Sequence, residues 1–174
     1  MPYTVQAQAR PEQALIIKKH WCERIFYHNK TWEIRPTMTR KRTRICVAEA
    51  SARCLVGEVC ISDCILVALR AEDGSLHPPD NSEHGREVFL LRPENTQKHH
   101  ITDISMLKPS DKYYAWVLKD IRAYHTPVPW LQPHGAQVFV DLRGRLPSDN
   151  KTASWLFCSS SRLTQQLASG LGSR

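Results

Sequence analysis

At 174 residues and 20.0 kDa the chain suits one compact domain, and its 41% hydrophobic and 24% charged residues exclude wholesale disorder. No apolar run nears the roughly 20 residues that span a bilayer, and residues 1–9 lack the charged-then-apolar order of a secretion signal, so the chain reads as intracellular, cytoplasmic or nuclear, with no membrane partner. The net charge of +7 is localised: residues 18–44 hold nine basic against two acidic side chains, and the rest of the chain is neutral, which points to a surface that meets phosphates.

Residues 1–13, polar and carrying Pro2 and Pro11, read as a flexible leader. The β-branched run 14–17 predicts a strand, with a helix from Pro11 to Tyr27 as its competitor. Trp21 and Ile25, then Cys22 and Phe26, recur at helical spacing and predict a helix over 21–27. Residues 30–35, Lys-Thr-Trp-Glu-Ile-Arg, predict a strand entered from a turn at Asn29, with Thr31, Glu33 and Arg35 on one face and Trp32 and Ile34 on the other. Lys30 then leans over the polar row, and an ammonium, a hydroxyl, a carboxylate and a guanidinium together suit an anionic or planar polar ligand.

A basic Thr-rich loop at 37–43 leads into strands at 44–48 and 55–61, and Gly57 leaves room there for another backbone to come close. The proline- and histidine-rich stretch 71–111 reads as an irregular insert with short helices at 94–99 and 103–107, and the pair His99 and His100 reads as surface polar residues. Strands are predicted at 113–118 and 136–142, with an extended proline segment at 127–130 and a turn at 133–135 between them. The domain is expected to run from 14 to 143, followed by a tail at 144–174 with a short helix at 153–157 or 163–167. The six cysteines show no C-x-x-C pair and are expected to be free thiols; no metal site or cofactor is expected.

Three passages in this order resemble the ASCH domain, the activating signal cointegrator homology domain of the PUA-like superfamily. They are Trp21 nine residues before Lys30, with Glu33 and Arg35 following; the run Leu-x-Gly-x-Val-x-Ile-x-Asp-Cys from Leu55 to Cys64; and the Tyr-Ala-Trp-Val-Leu strand with its proline-rich sequel and Gly135-Ala136. The resemblance implies an α+β fold, a small PUA-like β-barrel of five or six strands flanked by short helices, with a cleft facing the Lys30-x-x-Glu33-x-Arg35 strand. It also implies an RNA-binding role or a part in RNA modification, and in some bacterial relatives an amidohydrolase that deacetylates N4-acetylcytidine with a Lys, a Thr and a Glu. This chain carries Glu33 where those enzymes carry the reactive Thr, and His28 where they carry Gly; Thr31 is the nearby hydroxyl.

These features favour a monomeric nucleic-acid-binding module, with RNA, single-stranded or modified, bound through a basic cleft. Its contacts are expected from Lys19, Trp21, Lys30, Glu33, Arg35, Arg40, Lys41, Arg42, Arg44 and Trp116, the tryptophans as stacking platforms and the Arg40–Arg44 run as a phosphate-tracking rim. Two alternatives stay open: an amidohydrolase on an acylated nucleoside, with Lys30, Thr31 and Glu33 as its catalytic residues, and a protein-interaction module of a transcriptional or RNA-processing regulator that docks its partner on 71–111.

Overall fold

The computed structural model describes residues 10–135 and 138–146. Most of the leader and tail expectations, including both tail helices, lie outside these residues. Seven strands form one mixed sheet. In chain order they are β1 (Gln13–Ile17), β2 (Trp32–Arg35), β3 (Arg44–Glu49), β4 (Cys54–Arg70), β5 (Leu76–His77), β6 (Lys112–Pro129) and β7 (Phe139–Asp141). Helix α1 (Lys19–Tyr27) follows β1, and α2 (Glu83–Glu87), α3 (Pro93–His99) and a single 3-10 turn (Ile104–Met106) lie in the insert.

The spatial order is β2-β6-β4-β3-β1-β7, with β5 paired to β4. Strand β1 runs parallel to β3 and antiparallel to β7, with Leu15 opposite Val47 and Phe139. Both its faces are covered. Leu15 and Ile17 join Ile45, Val47, Val59, Ile61, Trp116 and Leu118 in one cluster under Cys22 and Ile25 of α1; Ala14 and Ile16 join Cys46, Leu55, Trp130 and Val140 in another. A strand buried on both sides has no polar row to alternate with, which explains the unbroken apolar run at 14–17.

Strands β4 and β6 are far longer than sequence pattern implied, and four register shifts along their pairing bend them. Strand β6 fuses the aromatic segment with the proline segment. Gly57 lies at one of these bends: a Cβ there would meet the Arg122 carbonyl oxygen and, at 2.5 Å, the Phe26 ring, so the close approach expected of this glycine is present.

The α+β class is as expected. Among the described residues the sheet has seven strands, against the five or six expected, and it does not close into a barrel. Strand β2 stops after four residues because Pro36 offers no N–H to continue a ladder, and β7 has three. The sheet nonetheless curls until β2 faces the end of β1, where the Arg35 guanidinium Nη2 donates to the Ile16 carbonyl at 3.0 Å. A side chain bridges where a barrel would have a ladder. Cys22, Cys46, Cys60 and Cys64 are free thiols.

Candidate nucleic-acid interface

The gap between β2 and β1 is a cleft of about 590 Å³. Lys30 reaches its floor because of how α1 ends. The N–H groups of His28 and Lys30 both donate to the Arg24 carbonyl, at 3.1 and 3.0 Å, and Asn29 between them takes a left-handed conformation with φ of 58°. Asparagine tolerates that conformation better than most side chains. The turn sends Lys30 inward, leaving it 1% exposed.

A buried ammonium must be compensated. The Lys30 Nζ lies 3.2 Å from Glu33 Oε2, donates to the Trp32 carbonyl, and sits 5.0 Å from the centre of the Trp21 ring. Burial holds its pKa below the ordinary lysine value and Arg35 lowers it further, against the opposing pull of Glu33. The other Glu33 oxygen, Oε1, lies 3.0 Å from Arg35 Nε. That N–H is not aligned on the oxygen, so charge rather than a hydrogen bond holds the pair. Glu33 thus bridges two cations, and both guanidinium and carboxylate front the cleft. Its lining also includes the apolar Trp21, Ile101, Met106 and Leu107 and the cations Lys18 and Lys108.

The expected site residues divide. Trp21, Lys30, Glu33 and Arg35 share the cleft. Thr31 does not: its backbone is tied to Lys98 and Leu118, and it lines a neighbouring cleft, because the strand begins only at Trp32. Trp116 is a core residue. It stacks on Phe139 with centroids 5.2 Å apart, lies 5.7 Å from the Arg35 guanidinium, and donates from Nε1 to the Thr37 carbonyl at 2.9 Å. It supports Arg35 from beneath and offers no open face to a base.

The basic rim is largely internally paired. Lys41 donates to Gln13 at 2.6 Å, Arg42 pairs with Asp63 at 3.0 Å, and Arg44 lies between Glu58 at 3.9 Å and Asp120 at 3.4 Å. Lys19 and Arg40 are exposed and line neither cleft.

His99 corrects the surface reading of the histidine pair. It is buried, its Nε2 donates to the Leu90 carbonyl at 2.9 Å and its Nδ1 accepts from the Ile101 N–H at 2.9 Å, which fixes a neutral ring. Burial pushes its pKa down to about 4. Sequence reasoning also missed Lys18, Ile101, Met106 and Lys108 as cleft residues. Three of them belong to the insert, where no periodicity marks a binding wall. Among the described residues no cluster of three or more His, Cys, Asp and Glu side chains is placed to hold a metal ion, and no helix is long and apolar enough to cross a membrane.

No family model matches the chain, and neither does any curated protein. Solved structures do match. A tyrosine-to-phenylalanine mutant of ZmASCH from Zymomonas mobilis superposes with a TM-score of 0.53 at 14% identity, covering 77% of this chain and 91% of that one. A serine-to-alanine mutant of the same protein gives 0.53 at 13% identity, covering 77% and 89%. At such identity the likeness speaks for the fold.

Proposed function

For a chain of the ASCH-domain fold, we propose that the cleft between β1 and β2 binds RNA by accepting one unpaired nucleobase. The observation that carries this reading is the buried Lys30-Glu33-Arg35 network in a cleft that Trp21, Ile101, Met106 and Leu107 also line. A volume of about 590 Å³ suits a nucleoside-sized ligand. A carboxylate that accepts and a guanidinium that donates, side by side, can read a base edge, while Trp21 and Met106 supply the flat apolar contact that a ring prefers. A paired base cannot enter a cleft of this depth without leaving its helix, so the ligand is single-stranded or has a flipped-out nucleotide.

Binding of a fluorescein-labelled single-stranded RNA, followed by anisotropy from low to moderate salt, tests this. The wild type binds the single strand at least about tenfold tighter than the matching duplex, a difference of about 1.4 kcal/mol. Arg35→Gln weakens binding by a similar factor while the melting temperature reports on folding. Equal affinity for strand and duplex, or no salt-dependent binding at all, refutes the reading.

One observation favours a second reading, hydrolysis of an acylated nucleoside. A buried lysine with a lowered pKa is suited to general-base work. With Thr31 in the neighbouring cleft, the attacking group is then a water activated by Lys30 and oriented by Glu33. Turnover of N4-acetylcytidine by the wild type and its loss in Lys30→Met is the corresponding test.

A further inference from the structure

A second cleft, of about 870 Å³, adjoins the first, and Trp21 and Met106 line both. Its chemistry is one-sided. Arg24 and His28 come from the end of α1, Lys98 and His100 from the end of α3, and among the described residues no aspartate or glutamate lines it.

Basic residues near helix C-termini often serve only to meet the last carbonyls. That explanation does not cover Arg24. Its guanidinium is exposed, lies 3.5 Å from His100 Nδ1 and has no carboxylate or carbonyl partner among the described residues, so its N–H donors are open to a ligand. Lys98 is held on one side by Asn95 at 2.9 Å and lies 4.7 Å from the centre of the Trp32 ring. Of the carboxylates flanking α3, Glu94 pairs with Arg92 and Asp103 accepts from the Ser105 N–H. Cations are gathered here with no acid among the described residues to neutralise them.

We propose that this cleft is a phosphate site, which takes a backbone phosphate of the same RNA strand on Arg24, Lys98, His28 and His100 while the flanking base enters the first cleft. The inference rests on the RNA reading above and deepens it. Trp21 then stands between base and phosphate, and the strand crosses the end of α1.

A pH dependence follows. In the free protein His100 is kept below the ordinary histidine pKa, first by burial and then by the charges of Arg24, Lys30 and His28; buried His99 next to it is neutral. A phosphate beside the ring reverses the balance and favours the imidazolium, so binding takes up a proton and tightens as pH falls through the histidine range.

The test is anisotropy of labelled single-stranded RNA with the full chain at several salt concentrations and at pH 7.5 and 6.0. Arg24→Gln lowers the slope of log affinity against log salt by about 0.7 for the contact it removes. His100→Asn, chosen because asparagine tolerates the left-handed φ of 61° at that position, abolishes a pH-linked gain that reaches up to about tenfold per pH unit for one proton. Inorganic phosphate is a separate probe: added to the wild type, it raises the pKa of the His100 ring read by NMR. If both variants keep the wild-type salt slope and pH dependence while Arg35→Gln still weakens binding, the phosphate site is overturned and the base cleft stands. If the wild type binds no RNA, both fall, and a His100 shift with inorganic phosphate then assigns the cleft to a small phosphorylated ligand instead.

Discussion

Replacing Glu33 by glutamine removes the negative charge shared by Lys30 and Arg35 and leaves the ammonium in a site that is 1% exposed. At 3.2 Å and an effective dielectric of about 20, the lost attraction to Lys30 is about 5 kcal/mol before compensation. The glutamine oxygen still accepts a hydrogen bond, and the Trp32 carbonyl and Trp21 ring stay in place, so a destabilisation of about 2–4 kcal/mol is expected, somewhat less than the roughly 3–5 kcal/mol typical of breaking a buried pair. Lys30→Met removes the stranded cation while keeping an apolar stem. The double variant Lys30→Met/Glu33→Gln is therefore more stable than Glu33→Gln alone, with a coupling of about 2 kcal/mol. The sign with pH is also set. The Lys30 pKa in the folded chain lies below 10.5, so the cost of burying its charge is fully present below the folded-state value and fades as pH rises from there towards 10.5. Urea unfolding of the four proteins at pH 7 and 9.5 measures both effects. Additive changes, within about 0.5 kcal/mol, would show that these residues do not form one electrostatic unit and would sink the account of the cleft floor.

His99 makes the fold sensitive to acid. Its folded pKa of about 4 lies below the ordinary 6.5, so the stability it contributes is intact above 6.5 and is lost as pH falls from there towards 4, by about 1–3 kcal/mol; thermal melts across that range are steeper for the wild type than for His99→Gln. Gly57→Ala places a methyl group against the Arg122 carbonyl and the Phe26 ring and costs about 1–3 kcal/mol in urea unfolding, whereas an equal stability would mean the β4–β6 bend yields freely. Arg44→Ala changes RNA affinity by less than about threefold in the same anisotropy assay, since Glu58 and Asp120 already occupy its guanidinium, and a loss as large as that of Arg35→Gln would return the rim to the interface.

Periodicity and residue type were sufficient for β1, α1, β3 and the short insert helix α3, because each repeats a local rule over several residues. The order of Trp21, Lys30, Glu33 and Arg35 was likewise enough to pick out the strand that fronts the cleft. The lengths of β4 and β6 were not legible, since bulges reset the alternation that marks a strand, and the proline segment at the end of β6 reads locally as a separate extended stretch. Nor could the sequence tell which aromatic lies in the core: Trp21 and Trp116 are the same residue type, and only the curl of the sheet buries the second against Phe139 and leaves the first between two clefts. The same holds for charge. A linear count finds the basic stretch at 18–44, but pairing partners come from distant strands. Tertiary structure alone decided that Arg42 and Arg44 meet Asp63, Glu58 and Asp120, that Lys30 is buried, and that Arg24 and His100 from two helix ends face one another without an acid between them. Local sequence determines what a residue can do; which of its neighbours neutralises it depends on contacts far apart along the chain.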